Sequence, residues 1–140
     1  MTRLHAEERG SLSLFAVIFT LVVLMLAGLV YDGGLAIAAR QRAADVAESA
    51  ARAGANAIDV GAFRDRQVLL VDQAEACDNA REVVARDGDG SLRSCWVDPA
   101  DGQLVHVRVH VSVRPQLLAL FRFPPFEAEA DAGARPVQGL

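Results

Sequence analysis

The chain has 140 residues, with 14 basic and 18 acidic side chains and a formal net charge of -4. That length holds one folded unit beside an anchor and leaves little room for a second domain. The balance is mildly acidic and every basic residue is an arginine, so no basic footprint for nucleic acid is present.

Residues 1–10 carry Arg3 and Arg9, and the chain then runs apolar as SLSLFAVIFTLVVLMLAGLVY with no charge between Arg9 and Asp32. Twenty helical residues rise about 30 Å, the thickness of a bilayer's hydrocarbon core. A helix buried in a soluble domain of this size needs a polar face, and Leu14 to Val30 offers only Thr20. The segment 11–31 is therefore expected to be a retained transmembrane helix. The alternative is a secretory signal cut near Ala38, where Ala36-Ile37-Ala38 offers a small-x-small site. The run is longer than the roughly 7–15 residues usual for a signal's apolar region. Basic residues flank the N-terminal side more closely than the other, where Asp32 precedes Arg40 and Arg42. This predicts residues 1–10 as a cytoplasmic tail and the C-terminal region as extracytoplasmic.

From Asp32 to Ile58 the lining changes from leucine and valine to alanine. Ala36, Ala39, Ala43, Ala47, Ala50, Gly54 and Ala57 recur at steps of three and four, one stripe of a helix, with Arg40, Arg42, Asp45, Glu48 and Arg52 opposite. A stripe of small residues lets another backbone approach closely. It serves either as a packing surface for partner helices or as a docking face for the following domain. The apolar helix is expected to continue through this stretch, with a weak point at Gly33-Gly34.

Residues 59–140 read as a small α+β domain. A break at Asp59 to Gly61 precedes a second helix predicted over Ala62 to Arg86, its apolar face including Val68, Leu69, Val71, Ala76, Ala80 and Val84. Asp87 to Ser91, DGDGS, resembles a fragment of a calcium loop but lacks the other ligands and the distal glutamate, and reads as a turn. Leu92 to Val97 and Gln103 to Arg114 predict strands about the turn Asp98 to Gly102. In the second of these, Val105, Val107, Val109, Val111 and Val113 face one side, and His106, Arg108, His110 and Ser112 the other. Gln116 to Phe123 forms an apolar patch, a short helix at the sheet's edge or at the membrane surface. Phe126 to Ala134 alternates again as a third strand, and Pro136 to Leu140 is a tail.

Chemistry is sparse. Cys77 and Cys95 are absent from any CxxC and remote from histidine clusters, which disfavours a metal or redox role. In an oxidising exterior they pair, closing a loop worth about 3 kcal/mol; otherwise they are two core thiols. His106 and His110 share a strand face without a carboxylate or thiol that the sequence fixes beside them, so no metal site is assigned. Trp96 is expected to pack on the core. His5, His106, His110 and Ser112 supply no nucleophile with a base and an orienting acid. No catalytic residue, cofactor or small-molecule substrate is expected.

Glu8 to Ile58 resembles the N-terminal region of TadE/TadG-like proteins of the tight-adherence (Flp) pilus system. The likeness lies in the arginine-glycine before the apolar helix, the Gly-x-x-x-Asp-Gly-Gly exit at Gly28 to Gly34, and the alanine-rich helix behind it. The later valine-alternating strand, Leu/Phe hinge and Glu/Ala strand follow the same order. The resemblance implies a pilin-like α+β fold: a long N-terminal transmembrane helix continuing into an alanine-rich helix, a second helix, and an antiparallel sheet of about three strands. It implies a membrane-bound structural or assembly component of a Tad/Flp-type pilus and secretion apparatus, not an enzyme, whose partners are the bilayer and other pilus or secretion-system subunits. Prepilin peptidase substrates of this group are cut after a glycine and carry glutamate at the fifth residue beyond it. After Gly10-Ser11, the candidate processing site, that position is Phe15. The chain therefore sits closer to the uncleaved TadG-like branch. The competing function is an extracellular binding module, secreted after cleavage near Ala38 or tethered.

Overall fold

Leucine-rich and alanine-rich halves both favour helix, and no proline interrupts them, so the two merge into one element. In the computed structural model, which describes residues 7–66 and 68–137, this is α1, Glu7–Ala55, 49 residues and about 74 Å long. It runs without interruption through Gly33-Gly34. Thr20, the polar side chain of the stretch from Leu14 to Val30, donates its hydroxyl to the Ala16 carbonyl at 2.8 Å and so needs no outside partner. Residues 1–6 of the expected tail, with His5, and residues 138–140 lie outside the described residues.

The order continues with α2 (Val60–Arg66), α3 (Gln73–Asp87), β1 (Gly90–Val97), β2 (Val105–Val113), a 3-10 turn at Leu118–Phe121, and β3 (Phe126–Ala134). The strands form an antiparallel meander, β1-β2-β3, with β2 central. The fold class is α+β. The alanine-rich half of α1 lies across the sheet against β2 and β3 and beside α3. This places the core between the alanine face of one helix and the valine face of one strand. Ala43, Ala47, Ala50 and Ala51 are fully buried, as are Val105, Val109 and Val111.

The helix predicted over Ala62 to Arg86 is two helices, with residues 68–72 forming an extended strap before the second. Asp59 caps α2, accepting from the Ala62 N–H at 2.9 Å, and Asp72 caps α3, accepting from the Ala74 and Glu75 N–H groups at 2.8 and 3.0 Å. Between the caps, Asp59 N–H donates to the Leu70 carbonyl and Asp72 N–H to the Ala57 carbonyl, each at 2.9 Å, forming a short antiparallel bridge. Val71 is buried through this bridge, and its N–H donates to Gly102 in the β1–β2 turn. Gly102 has φ +66, a backbone conformation that favours glycine, and a Cβ there would lie 2.8 Å from the tip of the Leu70 side chain, which would have to swing aside.

β1 contains a bulge between Leu92 and Ser94. One extra residue shifts the phase, so Leu92, Cys95 and Val97 all pack toward the core, although Leu92 and Cys95 are three apart. The shift brings Cys95 to Cys77 of α3, where the sulfurs lie 1.99 Å apart. It also turns Trp96 to the outer face, where it stacks on His106 with ring centroids 5.0 Å apart, and not into the core as composition alone suggested.

Two outcomes test this packing. Gly54 is buried, and a Cβ there would sit 2.9 Å from the Ala76 carbonyl oxygen and 3.1 Å from Val105. Gly54→Ala and Ala43→Leu should each destabilise the domain by about 1–3 kcal/mol in urea denaturation, as overpacking does. Ile37→Leu, at an exposed position, should change nothing measurable. Reduction, or Cys77→Ala with Cys95→Ala, should lower stability by about 3 kcal/mol, read as a fall in the melting temperature.

Candidate functional site

Among the described residues, the one fully buried charged side chain lies where the apolar half of α1 ends. Asp32 is fully buried, with 0% exposure, although it directly follows the exposed apolar residues Val30 and Tyr31. An ionised carboxylate at such a depth requires donors. They come from the far end of the chain. The Gln116 N–H donates to Asp32 Oδ1 at 2.9 Å, the Leu117 N–H reaches both oxygens at 3.3 and 3.1 Å, and the Leu118 N–H donates to Oδ2 at 2.6 Å.

The local sequence explains why these donors are free. Pro115 has no N–H and ends β2, and the next three amides open the 3-10 turn, where N–H groups lack partners inside the turn. Three successive N–H groups converging on one anion form a concave donor nest. Burial pushes the Asp32 carboxyl up, and the N–H groups of Leu118, Gln116 and Leu117 pull it down; the donors prevail and hold it below the usual carboxylate value. Leu117 then packs on Gly28, one turn below Asp32, where a Cβ would lie 3.4 Å from the Leu117 Cβ. Nothing in the sequence pairs Asp32 with residues 116–118. The signal available was a lone carboxylate at the end of an apolar span, which marks a boundary but names no partner.

The small-residue stripe occupies the other side of this site. Ala39, Ala43, Ala47, Ala50 and Gly54 are buried against the sheet and α3, and Ala36 is half-buried. Ala57 is buried too, but from the turn after α1, whose end at Ala55 is closed by the Ala57 N–H donating to the Gly54 carbonyl at 3.0 Å. The opposite face stays exposed, with Arg42 paired to Asp87 and Asp89 at 3.0 and 3.1 Å and Arg52 paired to Glu48. Gly10 and Ser11 lie in the first turns of α1.

The outer face of the sheet brings no catalytic set together. His106 lies 4.0 Å from Asp98, and His110 lies 3.8 Å from Glu127 of β3. Four strand residues separate the two histidines by about 13 Å, too far to share an ion. Among the described residues no group of three or more His, Cys, Asp or Glu is placed to hold a metal.

Residues 10–57 match the Tad family model, described as Flp pilus-assembly TadE/G-like. Over that segment, about a third of the chain, the sequence is similar to TadE/G-like proteins. The match covers nearly all of α1, both the apolar half and the alanine stripe, and ends at the turn where the helix stops. Nothing among the curated proteins or the solved structures matches the chain. Within this TadE/G-like helix, the most apolar window has a mean hydropathy of 2.8 and is only 6% buried, so it is long and apolar enough to cross a membrane.

Asp32→Asn removes the charge while keeping the shape, and amides facing the new NH2 group lose their acceptor. Hydrogen exchange at Gln116, Leu117 and Leu118 should accelerate at least about tenfold, with the exchange of β2 amides changed far less. Because the folded carboxyl lies below its unfolded value of about 3.9, the clamp should hold from neutral pH down to that value. It should open only at lower pH, as the folded carboxyl gains its proton. Amide shifts of residues 116–118 across an acid titration read this directly, and Asp32→Asn should abolish the transition.

Proposed function

We propose that this chain is a single-pass membrane component of a Tad/Flp-type pilus and secretion apparatus, with Leu12–Tyr31 crossing the cytoplasmic membrane and residues 32–137 outside it. The observation that carries the reading is the family match, which falls on the helix that combines the membrane-length apolar half with the alanine half. Cys77 and Cys95, at disulfide distance, suit an oxidising exterior and so support the orientation taken from the flanking charges.

The arrangement assigns different work to the two halves of α1. The alanine half is covered by its own sheet, so it anchors the domain to the helix. The apolar half exposes Phe15, Val17, Ile18, Leu21, Leu24 and their neighbours all round, and is the part left for lipid and for helices of other subunits. The protein acts by position and contact, with no catalysis of its own. Whether it is retained uncleaved turns on Gly10-Ser11, where Phe15 replaces the usual glutamate. Release near Ala38 fits the structure poorly, because it would remove Asp32 and leave three N–H donors without their acceptor.

Deletion of the gene in its own host should abolish or sharply reduce surface pili, and the intact chain should restore them. A chain whose residues 12–30 are replaced by an unrelated leucine-rich span of equal length should stay in the carbonate-washed membrane but no longer co-purify with the apparatus. Normal piliation in the deletion strain would overturn the reading. So would a mature product starting near Ala39 in the soluble fraction.

A further inference from the structure

Between β2 and β3 the chain carries an apolar loop, PQLLALFRFPP, in which three large apolar side chains are exposed. Leu117 is 43% exposed, Leu120 80% and Phe123 55%. Loops that face water are ordinarily polar. This one is also held in one place: three of its N–H groups grip Asp32 and Leu117 rests on Gly28.

Its height along α1 follows from the chain geometry. Val105, at the start of β2, packs where a Cβ on Gly54 would touch it, and Leu117 packs at Gly28. The helix rises about 39 Å between those glycines, and the extended chain from Val105 to Leu117 spans about 40 Å. β2 therefore runs straight back along the helix and delivers the loop to its last apolar turns, beside the exposed Val30 and Tyr31. Arg122 then takes a left-handed conformation, φ 59, at the end of the 3-10 turn, before the chain returns to β3.

Resting on the reading of Leu12–Tyr31 as the membrane span, we propose that Leu117–Phe123 is a second membrane contact. The exposed side chains of Leu117, Leu120 and Phe123 enter the boundary between acyl chains and headgroups of the leaflet from which α1 emerges. The occupant is lipid because the loop's apolar surface continues that of the helix at the same level. The exposed Arg114 and Arg122 flank the apolar tip, where guanidinium groups reach headgroup phosphates while their stems stay apolar. Together the helix and the loop fix the tilt of the domain on the membrane, which a single helix cannot do.

The test uses the full chain in phosphatidylcholine vesicles, with Trp96→Phe removing the native tryptophan and single reporters Leu120→Trp, Val22→Trp at mid-span, or Pro99→Trp at the distal turn. Leu120 is largely exposed, so its replacement leaves the core untouched. With lipids brominated near the headgroup end of the acyl chain, the Leu120→Trp emission should fall by roughly half or more, while Pro99→Trp stays unquenched. With bromine deep in the chain, Val22→Trp should be quenched most. Adding Asp32→Asn to Leu120→Trp should reduce the shallow quenching at least about twofold, because the seat is lost. An unquenched Leu120→Trp that aqueous iodide reaches, beside a quenched Val22→Trp, overturns the loop contact and leaves the span standing. An unquenched Val22→Trp overturns the span itself, and the loop contact with it.

Discussion

The whole domain depends on how closely α1 can approach β2. The buried side chains on the helix side of the interface stop at the β-carbon: Ala39, Ala43, Ala47 and Ala50, then Gly54, where even a β-carbon would collide with the Ala76 carbonyl. On the sheet side stand Val105, Val107, Val109 and Val111, the largest fully buried apolar side chains in the core. A core this thin has no flexible side chain with which to absorb an added methylene. It therefore specifies one axial position of helix against sheet, as tightly packed interiors do. That position sets everything downstream, including the level at which the β2–β3 loop meets the helix.

Asp32 closes the arrangement at the other end. A buried carboxylate is costly unless fully hydrogen-bonded, and its three amide donors leave the loop a single seat. The alanine-valine contact fixes the domain along the helix, and the aspartate fixes it at the point where the helix turns apolar. The helix thus carries a domain whose position and orientation along its axis are built in. The strap between α2 and α3 and the Cys77–Cys95 pair secure the distal and lateral parts of the same layer.

Much of this architecture is legible in the sequence because it is periodic. Twenty uncharged residues, a small residue every three or four, and valine at every second position of β2 each declare an element and its buried face. β3 runs over the residues its alternation indicates. What is not periodic stayed hidden. Val68, Leu69 and Val71 fit a helical face, and only the caps at Asp59 and Asp72 reveal that the helix is broken there. The bulge in β1 reverses the alternation midway, which is why Trp96 lies outside and Cys95 inside. The alanine stripe announced close packing without naming what packs on it, and the answer is the chain's own sheet. The site at Asp32 joins residues more than eighty apart through backbone amides, which carry no residue-type signature at all.

The alanine half of α1 and the carboxylate of Asp32 are both satisfied within one chain. Solid-state NMR on labelled protein reconstituted in lipid and diluted with unlabelled chain tests it most directly. Correlations from the Asp32 carboxyl carbon to the amide nitrogens of residues 116–118, and from the alanine methyls of α1 to the valine methyls of β2, should persist on dilution. Their loss on dilution, or alanine methyls that correlate with lipid in their place, would contradict it.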